Sequence, residues 1–127
     1  MDETSRKYTL CNLDELVENK AFCREIAVGG RDIPCLVYGA GADLQVFLNS
    51  CPHTGVRLEW RPDDFLDASE QYLQCAMHGA LFQPDSGLCI AGPCVNQNLV
   101  KIPFEVCGKQ IRVIDPDKVP LSAREAI

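Results

Sequence analysis

The apolar residues of this 127-residue chain come in short runs cut by glycine and proline turns, the rhythm of a β protein and not of a helical one. Lys7 to Cys11 reads as an opening strand, and Asn12 can cap a short helical turn through Leu13-Asp14-Glu15-Leu16-Val17. Phe22 to Val28, Asp32 to Tyr38 and Leu44 to Asn49 are β-like runs separated by Gly29-Gly30 and Gly39-Ala40-Gly41, which predicts a meander. Three more runs follow: Tyr72 to Cys75, Ala80 to Gln83 and Leu88 to Ala91, with Asp85-Ser86-Gly87 as the turn between the last two. Lys101 to Cys107 and Gln110 to Ile114 close the pattern as a hairpin through Gly108-Lys109, and residues 115–127 read as a surface tail. There are no repeats and no linker, so residues 1–127 are expected to form one domain.

Chemistry is concentrated between the meander and the closing hairpin. Cys51-Pro52-His53 and Cys75-Ala76-Met77-His78 place one Cys and one His in each of two short loops. Two thiolates and two imidazoles suit an iron–sulfur cluster in which two cysteines hold one iron and two histidines the other. Zinc takes the same four atoms in a tetrahedron, but it does not explain Gly79 after His78 or the Gly92-Pro93 turn.

With those elements in place, the chain resembles a Rieske ferredoxin. The family pattern of C-x-H, C-x-x-H-G and a Gly-Pro turn reads here as Cys51-Pro52-His53, Cys75-Ala76-Met77-His78-Gly79 and Gly92-Pro93, within a likeness spanning roughly residues 8 to 114. The resemblance implies an all-β Rieske iron–sulfur domain. Its antiparallel, β-sandwich-like base carries a small cluster-binding subdomain, here about residues 50–94. It also implies a 2Fe-2S cluster of Rieske type, with Cys51 and Cys75 on the inner iron and His53 and His78 on the outer iron. Such a site is formally neutral when oxidised and gains one negative charge on reduction. The stretch 54–74 is longer than the family usually carries. It holds Leu58, Trp60, Phe65 and Leu66 among charged residues. The expectation is that these apolar side chains fold back onto the cluster subdomain, with Trp60 as a candidate docking anchor.

Other residues narrow the function. The chain has two histidines, both used by the pattern, which leaves none for the mononuclear iron site of a Rieske oxygenase. No G-x-G-x-x-G turn offers a nicotinamide or flavin site. The expectation is therefore an electron carrier, not an enzyme, passing electrons from a reductase to an oxygenase or related acceptor. The alternative is a redox-sensing or accessory small subunit of a larger reductase complex. Quinol-oxidising Rieske proteins carry a disulfide between the loops and Ser and Tyr hydroxyls near the cluster sulfurs. The matching positions here are Val56, Met77, Ala80 and Phe82. Hydrogen bonds to sulfur raise the potential, so their loss predicts a value on the order of −150 mV, the low end of the range.

Lys plus Arg is 12 and Asp plus Glu is 18, a net charge of −6, which disfavours nucleic acid and anionic membranes as partners and suits a basic protein patch. Met1 to Lys7 has no apolar signal core and no run reaches membrane-spanning length, which predicts a cytoplasmic protein. The other six cysteines, Cys11, Cys23, Cys35, Cys89, Cys94 and Cys107, are expected to be small buried hydrophobes. Cys94 differs in following the Gly92-Pro93 turn, a position from which it can tune the potential or be oxidised.

Overall fold

The computed structural model describes residues 9–28, 30–52, 57–59, 64–76, 79–115 and 119. Nine strands are present among them: β1 Thr9–Asn12, β2 Ala21–Val28, β3 Arg31–Tyr38, β4 Gln45–Leu48, β5 Leu73–Gln74, β6 Leu81–Phe82, β7 Cys89–Ala91, β8 Phe104–Cys107 and β9 Gln110–Val113. They form three antiparallel three-stranded sheets in the orders β1-β9-β8, β2-β3-β4 and β5-β6-β7. The all-β antiparallel class and the meander are as the sequence predicts.

The β2-β3-β4 sheet is a wall with a core on each side. Side chains alternate across a strand. On one face Ile33, Cys35 and Val37 of β3 and Val46 and Leu48 of β4 meet Leu10, Ile111 and Val113 of the β1-β9-β8 sheet. On the other face Leu36, Tyr38 and Phe47 meet Leu73 and Phe82 of the β5-β6-β7 sheet, together with Cys51, Leu58, Phe65 and Cys75. Register ties the faces together: Cys35 pairs with Leu48, Leu36 with Phe47 and Val37 with Val46. A strand buried on both faces must be apolar throughout, which is why Ile33 to Tyr38 reads as an almost unbroken apolar run. In β1 the register shifts between Thr9 and Cys11, and this bulge lets two consecutive residues, Leu10 and Cys11, face the same core.

Several elements are shorter than the sequence suggests. The helical turn is a single 3-10 turn, Leu13–Glu15. The Glu15 carboxylate there accepts from the Asn12 N–H at 2.8 Å. Strand β8 starts at Phe104 because Pro103 has no N–H to give a ladder. The preceding segment runs beside β4 instead, where Leu48 N–H donates to Val100 O at 2.7 Å and Ile102 N–H to Val46 O at 2.9 Å. Two expectations fail. Cys107 is exposed, since β8 is an edge strand facing solvent along most of its length. Val119, within the stretch read as a surface tail, is buried in the first core. Among the described residues no helix is long and apolar enough to cross a membrane.

Phe47 fixes the two-sided arrangement. It is fully buried, and a Cβ on Gly87 would lie 2.8 Å from its Cε1 atom, so the turn before β7 closes over the ring only because residue 87 is glycine. Gly87 also has φ +77°, a conformation that side chains disfavour. Phe47→Ala is expected to cost about 3–5 kcal/mol in chemical denaturation, whereas Val106→Ala on exposed β8 should stay within about 0.5 kcal/mol.

Candidate metal centre

The two cysteines of the ligand pattern lie in the second core. Cys51 and Cys75 are each 1% exposed and belong to one apolar cluster with Leu58, Ala80, Cys89 and Cys94. His53 and His78 fall outside the described residues, as do Val56, Met77 and Trp60. Among the described residues no three His, Cys, Asp or Glu side chains gather into a metal cage. Of the four residues of the pattern, the structure places the two cysteines in one buried core and describes neither histidine.

Asn49 organises the approach to the first loop, and the sequence pattern did not single it out. It is 1% exposed at the end of β4, where a polar residue must find partners. Its Oδ1 accepts from the Leu58 N–H at 3.0 Å. Its Nδ2 donates to Glu59 Oε1 at 2.9 Å and to Cys23 Sγ at 3.5 Å. Leu58 O in turn accepts from the Ala76 N–H at 2.7 Å. This relay links the residue two before Cys51 to the residue after Cys75. The available signal was a polar pair, Asn49-Ser50, interrupting an apolar run immediately before Cys51. The 57–59 segment is held from outside as well, by the Arg57–Glu25 ion pair at 2.6 Å.

The second loop is closed by its own backbone. Cys75 N–H donates to Ala80 O and Gly79 N–H to Cys75 O, both at 2.9 Å, with Gly79 at φ +71°. Gly92 presses on this loop: a Cβ there would stand 2.8 Å from Ala80 Cα, and its φ is +101°. The Gly92-Pro93 turn thus packs flat against the residue beside the Cys75 loop and then delivers Cys94 into the core. Leu58 and Phe65, from the long 54–74 stretch, are fully buried in the same cluster and Leu66 is partly so, as expected of side chains that fold back.

Asp67 shapes the turn that feeds β5. Partial burial pushes its carboxyl up, but the Ser69 hydroxyl and the backbone N–H groups of Tyr72 and Gln71 outweigh this and hold it below the usual carboxylate range. A depressed folded pKa stabilises above the unfolded value and is lost as pH falls through the folded one.

None of the eight cysteines is joined to another in a disulfide. Burial, then the Cys89 hydrogen bond and the neighbouring Cys51, push the Cys94 thiol up to about 12. Burial pushes Cys35 up to about 12 and Cys11 up to about 11, consistent with packing roles. Two buried thiols that are not tied in a disulfide suit an iron–sulfur group, because anionic sulfur is tolerated in an apolar core only when a cation neutralises it. The chemistry of the two described donors, Cys51 and Cys75, is compatible with the group expected from the sequence.

Gly92→Ala is expected to strain the turn and push Ala80 aside, lowering iron per chain by metal analysis more than Gly30→Ala, where no atom lies within 4 Å of the added carbon. Asn49→Ala leaves the buried Leu58 N–H without its acceptor and should cost about 1–3 kcal/mol in unfolding. Asp67→Asn should flatten the loss of stability that the wild type shows below about pH 4 in acid titration.

Comparison with known proteins was consistent with this geometry. The profile of the Rieske [2Fe-2S] domain matches residues 6–116. No curated protein sequence matches the chain. Among solved structures, the ferredoxin of carbazole 1,9a-dioxygenase from Nocardioides aromaticivorans IC177 is 23% identical, covers 83% of this chain and 93% of its own, and superposes with a TM-score of 0.59. A chain from a complex of reduced oxygenase and oxidized ferredoxin in carbazole 1,9a-dioxygenase is 20% identical over 88% of this chain and 95% of its own, TM-score 0.62. The terminal oxygenase of carbazole 1,9a-dioxygenase from Novosphingobium sp. KA1 is 18% identical over 89% of this chain but only 30% of its own, TM-score 0.67. At these identities the structures show a shared fold. The profile, spanning most of the chain, places it in the Rieske [2Fe-2S] domain family.

Proposed function

We propose that this protein is a one-electron carrier that holds a Rieske-type 2Fe-2S cluster through Cys51 and Cys75 sulfur and His53 and His78 nitrogen. It takes electrons from a protein reductase and passes them to an oxygenase or a related acceptor. The observation that carries the reading is the burial of Cys51 and Cys75 in one apolar cluster, each cysteine followed by a histidine at the family spacing. When bound, the cluster accepts and releases one electron without any bond to a substrate.

The residues of the chain supply the surroundings. Cys51 and Cys75 enter from the dry core, so the sulfur half is shielded from water by Leu58, Phe65 and Phe82. Ala80 and Phe82, both buried, stand where hydroxyl donors would raise the potential, which supports a low value. The net charge of −6 supports docking to a basic partner surface. Trp60, on the long stretch between the loops, is the proposed anchor for that docking, and a cytoplasmic location fits a carrier fed by a nicotinamide-linked reductase. The solved complexes of similar folds pair a ferredoxin with an oxygenase, which supports the same class of acceptor. A carrier of this kind has no substrate site of its own.

Direct voltammetry of anaerobically purified protein tests the reading. A single low wave, flat near neutral pH and falling only at more alkaline values, is expected. Colourless protein containing zinc and giving no wave would refute it. For docking, Trp60→Ala is expected to slow electron transfer to the acceptor while leaving the potential in place, as read by stopped-flow reduction. An unchanged rate would remove Trp60 from the interface.

A further inference from the structure

Beside the ligand cysteines, the second core holds another pair of sulfurs. Cys89 and Cys94 are each 1% exposed, and their Sγ atoms stand 3.2 Å apart. A disulfide joins sulfurs at about 2.05 Å, so closing this pair takes a movement of about 1.2 Å. The backbone holds both residues in one small ladder. Cys89 N–H donates to Gln97 O at 2.8 Å, Asn96 N–H to Cys89 O at 3.1 Å and Gln97 N–H to Cys94 O at 2.9 Å. The two thiols therefore meet because the main chain sets them face to face, and joining them asks for side-chain adjustment and not for a rearranged loop. Between them runs Ile90-Ala91-Gly92-Pro93, with Gly92 at φ +101° resting on Ala80. The outer side of this turn is open, since Gly92, Pro93 and residues 95–98 are exposed. One layer of chain thus separates the pair from water, and local opening of such a turn admits a small molecule.

We propose that Cys89 and Cys94 are a modification site, joined in a reversible disulfide when the folded protein meets hydrogen peroxide. One thiol attacks the O–O bond, keeps one oxygen as a sulfenic acid and releases the other as water. The second thiol, already in contact, displaces the remaining oxygen as a second water and forms the S–S bond. Two thiols lose two electrons and two hydrogens, and one peroxide becomes two waters. The nearness of the second thiol ends the oxidation at this stage, before the irreversible sulfinic acid. A dithiol restores both cysteines by exchange and is itself left as a disulfide. The bond closes residues 89–94 into a ring and straps the Gly92-Pro93 turn in its place on Ala80. The site is distinct from the disulfide between the ligand loops of quinol-oxidising Rieske proteins, whose positions are Val56 and Met77 here. It also stands apart from the carrier reading, because neither residue belongs to the ligand pattern.

The test treats the full-length wild type, Cys89→Ser and Cys94→Ser with hydrogen peroxide under native conditions. Open thiols are then alkylated and the chain is mapped by tandem mass spectrometry. In the wild type, Cys89 and Cys94 are expected to escape alkylation together, with the mass lowered by two hydrogens and no fragment ions between them. Dithiol treatment should return both to the alkylated form. In either variant the remaining cysteine of the pair should lose this reversible protection. Wild-type protein in which Cys89 and Cys94 stay alkylated, are oxidised singly, or link to other cysteines as often as to each other overturns the inference. The same reversible protection in the variants overturns it too. Should a variant fail to fold, the wild-type map decides alone. Voltammetry of the untreated protein reports the carrier reading separately, so the failure of one is read apart from the failure of the other.

Discussion

Everything in this fold depends on one sheet being dry on both faces. The β2-β3-β4 meander separates two cores, and the residues from Cys35 to Tyr38 of β3 and from Val46 to Leu48 of β4 alternate between them by the two-residue period of a strand. A slip of one position would exchange Leu36 and Phe47 with Cys35 and Val46, so neither core would close. The first core makes the base. The second makes the bed in which Cys51 and Cys75 sit, so the sulfur chemistry is built on the same register that holds the domain together.

The passage from scaffold to site is made by polar groups placed where the apolar wall ends. Asn49 takes a backbone proton from Leu58 and gives protons to Glu59 and Cys23, and Leu58 takes one from Ala76. An amide with four bonding positions can satisfy several partners in a space that admits no water, which an apolar residue at 49 could not do. Gly92 does the complementary task by having no side chain, letting the turn rest directly on Ala80. A crowded set of sulfurs completes the bed: Cys94 Sγ stands 3.2 Å from Cys89 Sγ, and Cys51 belongs to the same buried cluster.

Much of this was legible in the residues. The all-β class, the meander and the closing hairpin followed from where apolar runs meet glycine and proline, and the family pattern followed from four ligand-type residues with the glycines and proline beside them. The burial of Leu58 and Phe65 followed from their apolar character within a charged stretch. What was not legible depends on three-dimensional neighbours. Cys107 sits in an apolar run but on an edge strand, and edge position is a property of sheet order that composition does not carry. Val119 gains its burial from a core built by distant strands. Asn49 acquires its role only once loops far apart in the chain are packed together. His53, His78 and Trp60 lie outside the described residues; the roles of the histidines rest on sequence and family, and that of Trp60 on sequence.

The measurement that decides most is iron-57 Mössbauer spectroscopy of the anaerobically purified protein before and after one-electron reduction, with iron and sulfide counted on the same sample. Two irons and two sulfides per chain are expected, in two inequivalent sites, one with thiolate and one with imidazole ligands, and with the added electron localised on the imidazole site. A single class of iron, or zinc in place of iron, would contradict the assignment of Cys51, His53, Cys75 and His78 as one mixed-ligand centre.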